Sequence, residues 1–206
     1  LSAQGLSGSP FGSPDDVVGR LLAVQAQDAR GSRLTIRSRT QGLSAADVDS
    51  VFNEGSMIIT WLNRGTLHLV RSEDYRWLHA VTAPRQVKFN LRRLEQEGVS
   101  PDQAEKGEVA IRADIADRGP RTRAELRSAL EGAGVPTAGQ AFIHLLMYCS
   151  LRGLIVRGPM RGGEQQFVLV DEWLGKQPPV DTEAALAELA RRYLAIEEIR
   201  FGPRLH

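Results

Sequence analysis

The chain has 206 residues, 42% of them hydrophobic and 25% charged, and a formal net charge of +1. That composition can bury one sizeable core or two small ones and does not suit a disordered segment. No apolar run approaches membrane-spanning length, no basic stretch precedes an apolar one at the N-terminus, and the single Cys149 has no partner, so a soluble monomer without disulfides in a reducing cytoplasm is expected.

Ser13-Pro14-Asp15-Asp16 combines an N-cap residue, a proline at the first helical position and carboxylates that the helix dipole favours. A helix is expected from about Pro14 to Val24, with Val17, Val18, Leu21 and Leu22 as its buried stripe. Residues 30 to 39 are ambiguous: Leu34 and Ile36 alternate as in a strand, whereas Arg30, Arg33 and Arg37 share a face if the segment is helical, and a helix is the favoured reading. Ser44 caps a short helix that stops near Gly55. Met57 to Leu62 and Thr66 to Val70 are β-prone runs around Asn63-Arg64-Gly65, which reads as a hairpin with a short loop. Ser72 is expected to cap a helix through about Thr82, Pro84 to break it, and Arg85 to Glu97 to form an amphipathic helix with Val87, Leu91 and Leu94 on one side.

Helices followed by a hairpin make a winged-helix pattern, and the order then repeats. A helix is expected near 104 to 118, a Thr122/Glu125 capping box opens one to Glu131, and a Thr137/Gln140 box opens another to Arg152. A second hairpin follows, Leu154 to Arg157 and Gln166 to Val170, around a glycine-rich basic tip from Gly158 to Gly163. The helix before it carries Ala141, Phe142, Leu145, Leu146, Met147, Tyr148 and Leu151, with little that hydrogen-bonds a base edge, which argues for burial and against a simple sequence-reading repressor. A linker at Gln177-Pro178-Pro179 precedes a last helix, Glu183 to Ala195, whose stripe of Leu186, Leu189, Ala190 and Tyr193 needs a partner surface; Ile196 to His206 shows no pattern. The fold class is mainly α with small β-hairpins (α+β), as tandem winged helices: residues 1–100 as the first, 101–176 as the second, and 177–206 as a linker and the start of an incomplete third.

Residues 1 to 93 hold 12 basic against 8 acidic side chains and residues 94 to 206 hold 14 against 17, which makes the first half the polyanion-facing one. The 23 Arg against 3 Lys reflect a GC-rich genome rather than function. His68, His79, His144 and His206 lack metal-ligand spacing, so no metal and no cofactor is expected.

The chemistry is carried by Gln25-Ala26-Gln27, followed 37 residues later by Arg64-Gly65-Thr66-Leu67-His68-Leu69-Val70. Carboxamides neither donate nor abstract protons near neutral pH, but they hold water and stabilise growing positive charge, which suits a reaction with an already activated leaving group. In an α-helix two residues two apart diverge by about 200°, so the pair converges only if the helix ends close to Gln25. Asp28 is the nearest carboxylate and is read as a local cap or partner of Arg30. Arg33, Arg37, Arg71 and Arg85 are candidate phosphate contacts, each with a solvated surface charge as the bland alternative. Trp61 and Trp77 have apolar neighbours and read as core rather than as stacking platforms.

Val24-Gln25-Ala26-Gln27, Trp61-Leu62-Asn63-Arg64-Gly65-Thr66-Leu67-His68-Leu69-Val70 and the stretch from Gly119-Pro120-Arg121-Thr122 to Gly153-Leu154-Ile155 resemble the AlkZ/YcaQ-like DNA glycosylases, over roughly residues 1 to 195. The resemblance implies tandem winged helices, a catalytic Gln-x-Gln element at Gln25 and Gln27, and action on double-stranded DNA containing alkylated or cross-linked purines. Gln27 stands where the YcaQ branch has Asp, which places the chain on the AlkZ side. The resemblance also raises insertion of His68 and Arg64 against DNA near a lesion, and implies continuation into a third winged helix and a C-terminal β-domain. An N7- or N3-alkylated purine already carries positive charge and leaves with little acid assistance, which agrees with neutral amides at the site. The alternative is a winged-helix DNA-binding or regulatory protein without catalysis.

Overall fold

The structure, a computed structural model, describes residues 5–6, 9–176 and 178–197. Gln177 of the expected linker and the tail after Glu197 lie outside the described residues. The first helix, α1 (Pro14–Leu21), is capped by the Ser13 hydroxyl but stops three residues short of Val24. Leu22 turns the chain at φ +66°, a left-handed backbone an L-residue adopts only where packing holds it, and its side chain is buried with Ile58, Val70 and Tyr75. A two-residue strand follows, β1 (Val24–Gln25). Asp28 caps α2 (Ala29–Arg37) by accepting from the Arg30 and Gly31 amides, and a full Ser44/Asp47 capping box opens α3 (Ala45–Asn53).

The first hairpin is β2 (Met57–Leu62), one 3-10 turn over Asn63–Gly65, and β3 (Thr66–Arg71). Helices α4 (Ser72–Thr82) and α5 (Pro84–Gln96) follow. Ser72 is not the cap expected of it: Arg71 holds that position, and the Ser72 hydroxyl donates to the Gly55 carbonyl at 2.6 Å, tying α4 to the turn after α3.

The second unit runs α6 (Pro101–Arg118), α7 (Arg123–Gly132), α8 (Ala141–Leu151), β4 (Ile155–Arg161), β5 (Glu164–Leu169) and a short α9 (Val170–Trp173). A Ser100/Gln103 capping box starts α6 earlier than its apolar pattern indicated, and the Thr122/Glu125 box forms as expected. The Thr137/Gln140 box does not form, because Thr137 donates to Glu131 and Gln140 itself takes the N-cap position. The second hairpin is longer than expected: its register reaches Arg161↔Glu164 around Gly162-Gly163, and an irregularity between Arg157 and Met160 absorbs Gly158 and Pro159. The last helix, α10 (Thr182–Glu197), packs on α4 through Ala185, Leu189 and Arg192, rotated from the expected stripe, so that Leu186 and Tyr193 are exposed. Among the described residues no helix is long and apolar enough to cross a membrane.

The five strands of the described residues join one antiparallel sheet in the order β1-β3-β2-β4-β5, and the two hairpins meet where Ile59 pairs with Arg157. The period of two sorts their side chains. Met57, Ile59 and Trp61 face the main core with Val24, Ala26, Leu67, Leu69, Ile155 and Phe167. Ile58 and Leu62 face the other way, packing with Val70, Val156 and Val168 beneath Tyr75 and Leu78 of α4.

Candidate active site

The early end of α1 decides the geometry of the glutamine pair. Gln25 lies in β1 and Gln27 at the bend that follows it; both are exposed while Ala26 between them is buried. The Gln25 Nε2 donates to Gln27 Oε1 at 2.8 Å. Among the described residues Gln25 Oε1 and Gln27 Nε2 have no other hydrogen-bond partner, leaving one amide acceptor and one amide donor open to a ligand. Both side chains border an open depression of about 370 Å³ together with Asp28, Gly31 and Thr35. Asp28 is held there by its capping bonds to α2.

Strand pairing adds a second group. Gln25 lies opposite His68 and His68 lies opposite Thr60, which makes a polar row across three strands on one sheet face. The His68 Nδ1 lies 3.0 Å from the Thr66 carbonyl, so Nδ1 carries the proton and donates. Burial pushes the imidazole below its ordinary pKa of 6.5, opposed in part by that carbonyl. His68 is therefore a neutral ring at pH 7 with an acceptor Nε2, not a cation for the phosphate backbone. Thr60 is fully buried and its hydroxyl has no partner among the described residues. Sequence reading passed over it; the available signal was a lone hydroxyl in an otherwise apolar strand.

The hairpin tip carries Arg64 at φ 54°, ψ 22°, exposed and without an ion pair among the described residues. Gly65 follows at φ +74°, and a Cβ there would stand 2.6 Å from the Met147 Cε and 3.9 Å from the Gln86 Oε1, so the tip lies against α8 and the start of α5. On α5, Arg85 is exposed and in line with Lys88, Phe89 and Arg92 at helical spacing. None of these three cations is ion-paired among the described residues, and Phe89 is 61% exposed.

Of the other candidate arginines, Arg33 and Arg71 are committed to the fold, whereas Arg37 has no ion pair among the described residues. Arg33 makes two bonds of 2.6 and 2.8 Å to the Asp49 carboxylate, clamping α2 to α3. Arg71 meets Glu73 at 2.7 Å, Asp74 at 2.8 Å and Asp15 at 3.7 Å, so its charge is compensated. Arg37 is exposed and donates from Nε to the Leu43 carbonyl at 2.9 Å. Trp61 is buried in the main core, and Trp77 is half-buried with its indole N–H on Asp74 at 3.1 Å.

Repeated helix-then-hairpin units on one sheet, with a paired-amide face at the sheet edge and an exposed arginine at the hairpin tip, define a tandem winged-helix protein. The chain belongs to the AlkZ-like DNA glycosylase family, whose model matches residues 18–202. It is 29% identical over 188 residues to the interstrand DNA cross-link repair glycosylase of Streptomyces sahachiroi, covering 84% of this chain and 48% of that protein. It is also similar to the solved structure of Streptomyces sahachiroi DNA glycosylase AlkZ, with a TM-score of 0.73 and 25% identity over 95% of this chain and 54% of that one. The chain thus spans about half the length of the relatives it matches.

Proposed function

We propose that this chain carries the active site of a monofunctional DNA glycosylase that hydrolyses the N-glycosidic bond of N7- or N3-alkylated purines in double-stranded DNA, cross-linked purines included. The observation that carries the proposal is the Gln25-Ala26-Gln27 segment, which lies beyond the end of α1 and has its two amides hydrogen-bonded to each other. In the reaction the C1′–N bond breaks with its electron pair going to the purine, which leaves neutral because alkylation had made it cationic. The sugar takes up the positive charge, and the free Gln25 carbonyl dipole stabilises it as it grows. Gln27 and the Nε2 of His68 orient a water, whose oxygen attacks C1′ and whose proton passes to solvent. No group on this path has to be a strong acid, which is why the site works with neutral side chains.

DNA is held by Arg64 at the hairpin tip, by Arg37, and by the Arg85, Lys88 and Arg92 face of α5, whose charges are uncompensated; Phe89 lies within that face. Arg33 and Arg71 act instead through the fold. The buried α8 cannot serve as a base-reading helix, which disfavours a sequence-specific regulator.

The test is release of 7-methylguanine and unhooking of a purine interstrand cross-link by the wild-type chain and by a Gln25→Ala/Gln27→Ala variant. Each amide is expected to contribute on the order of 10²-fold. Equal rates in the two proteins, or duplex binding with no base release by either, would overturn the proposal.

A further inference from the structure

The seam between the two hairpins holds a charged pocket that base excision leaves unused. Where β2 and β4 pair, the Arg157 guanidinium lies between the rings of Trp61 and Phe167, 5.1 and 5.3 Å from their centres. Its Nε is buried without a hydrogen-bond partner, and no carboxylate forms an ion pair with the group among the described residues. Burial pushes its pKa down to about 10, the nearby Arg123 adds to the shift and Glu164 opposes it. Aromatic faces return part of what desolvation costs a cation, but they supply no oxygen acceptors for its N–H groups.

A pocket of about 130 Å³ opens beside this guanidinium, bounded by α2, α3, β2 and the β4–β5 hairpin. The Gln165 Nε2 on its wall is a second buried donor without a partner among the described residues. The charges around the pocket nearly balance. Arg33 is neutralised by Asp49, and Glu164, which accepts the Arg123 backbone amide, matches the formal charge of Arg123 without an ion pair to its guanidinium among the described residues. What is left over is the single positive charge of Arg157 and two sets of unfilled donors. The complement of that arrangement is a compact monoanion rich in oxygen acceptors, and the cavity suits a group of that size rather than a whole nucleotide.

We propose that this pocket binds a phosphate-type oxyanion, with Arg157 as its cationic anchor and the Gln165 amide as a second donor. The inference stands on the pocket itself and does not depend on base excision. Two sources share this chemistry, a backbone phosphodiester and free phosphate. Helix α2 links the pocket to the glutamine site: Ala29 and Ser32 line the one, Gly31 and Thr35 the other. These two sets of residues fall on opposite sides of α2, so a helix about 10 Å across stands between the two sites.

The test titrates inorganic phosphate into the wild-type chain against a chloride background, by calorimetry and by the emission of Trp61, which borders the guanidinium. Arg157→Met and Gln165→Leu are compared with it, and Arg157→Lys retains the charge should the methionine variant fold poorly. Saturable phosphate binding is expected in the wild type, abolished by Arg157→Met and weakened several-fold by Gln165→Leu. In parallel, undamaged duplex is bound across a salt series. If the occupant is a phosphodiester, phosphate competes with DNA and Arg157→Met lowers the slope of log affinity against log salt by about 0.9. If phosphate binds but that slope is unchanged, the occupant is free phosphate. Absence of saturable phosphate binding together with an unchanged slope overturns the inference. A Gln25→Ala/Gln27→Ala variant that binds phosphate like the wild type keeps this result separate from the fate of the glycosylase proposal.

Discussion

Replacing Arg64 by glycine separates backbone strain from DNA binding at the hairpin tip. Arg64 sits at φ 54°, ψ 22°, where an L-residue pays about 1 kcal/mol that glycine avoids. Its side chain is exposed and has no ion pair or hydrogen bond among the described residues, so its removal breaks no contact in the folded chain. The greater freedom of glycine in the unfolded chain takes back roughly half of the gain. The net is about 0.5 kcal/mol of added stability, or about 1–2 °C in Tm for a chain of this size. Duplex binding moves the opposite way: losing one phosphate contact lowers the salt slope by about 0.9 and weakens affinity several-fold at moderate salt. Calorimetry and fluorescence anisotropy with undamaged duplex read the two effects, and Arg64→Lys, which retains both charge and strain, should stay near wild type in each. A glycine variant that melts lower, or that binds with an unchanged salt slope, refutes the reasoning.

Asp74 is nearly fully buried and takes Arg71 at 2.8 Å, Arg192 at 2.9 Å and the Trp77 indole at 3.1 Å, so Asp74→Ala should cost about 3 kcal/mol in urea unfolding and release α10 from α4; a loss below about 1 kcal/mol would show that the network is dispensable. Base release should be independent of pH between about 7 and 9, because amides do not titrate and His68 stays neutral there; a limb with an apparent pKa inside that window would assign the water to an acid or base instead. Burial lowers the pKa of His68, His79 and His144 below the ordinary 6.5, so the unfolded chain takes up protons first. Their contribution to stability is therefore complete above about pH 6.5 and is lost as the pH falls through the window below it, which a series of melts from pH 8 to pH 5 would display as a falling Tm. A Tm that holds or rises on acidification would contradict the burial of these rings.

What the sequence disclosed depended on the range of the interaction. Capping signals are local, and Ser13, Ser44 and Thr122 cap as their neighbours indicate. Thr137 and Gln140 carry an equivalent pattern, with Gln in place of Glu, yet Glu131 on the preceding helix offers Thr137 a partner that is visible only once the two are folded together. The end of α1 is a similar case. Helical periodicity runs on through Leu22, but burial of that side chain under α4 holds the backbone left-handed and hands Val24 to the sheet. The need for Gln25 and Gln27 to converge was deducible from helix geometry, while the means, an edge strand paired to β3, was not. Arginines were the least legible. Arg33 and Arg71 look like Arg64 and Arg85 in sequence, and only the positions of Asp49 and Asp74 separate structural charges from open ones. Arg157 drew no notice because its two aromatic neighbours come from different strands.

The strand that bears Gln25 and leads into Gln27 is the outermost of the sheet and only two residues long. So short a ladder gives little rigidity of its own. What fixes the segment is its inward side: Val24 and Ala26 are sunk in the main core, and the Ala26 amide donates to the Leu67 carbonyl at 2.8 Å. The two amides are aimed by the residues between and before them, much as a pair of instruments is aimed by a shared mount. A repacking of Leu67 or Leu69, neither of which borders the depression, would tilt both amides together and leave each chemically intact. At this site an error of packing becomes an error of aim.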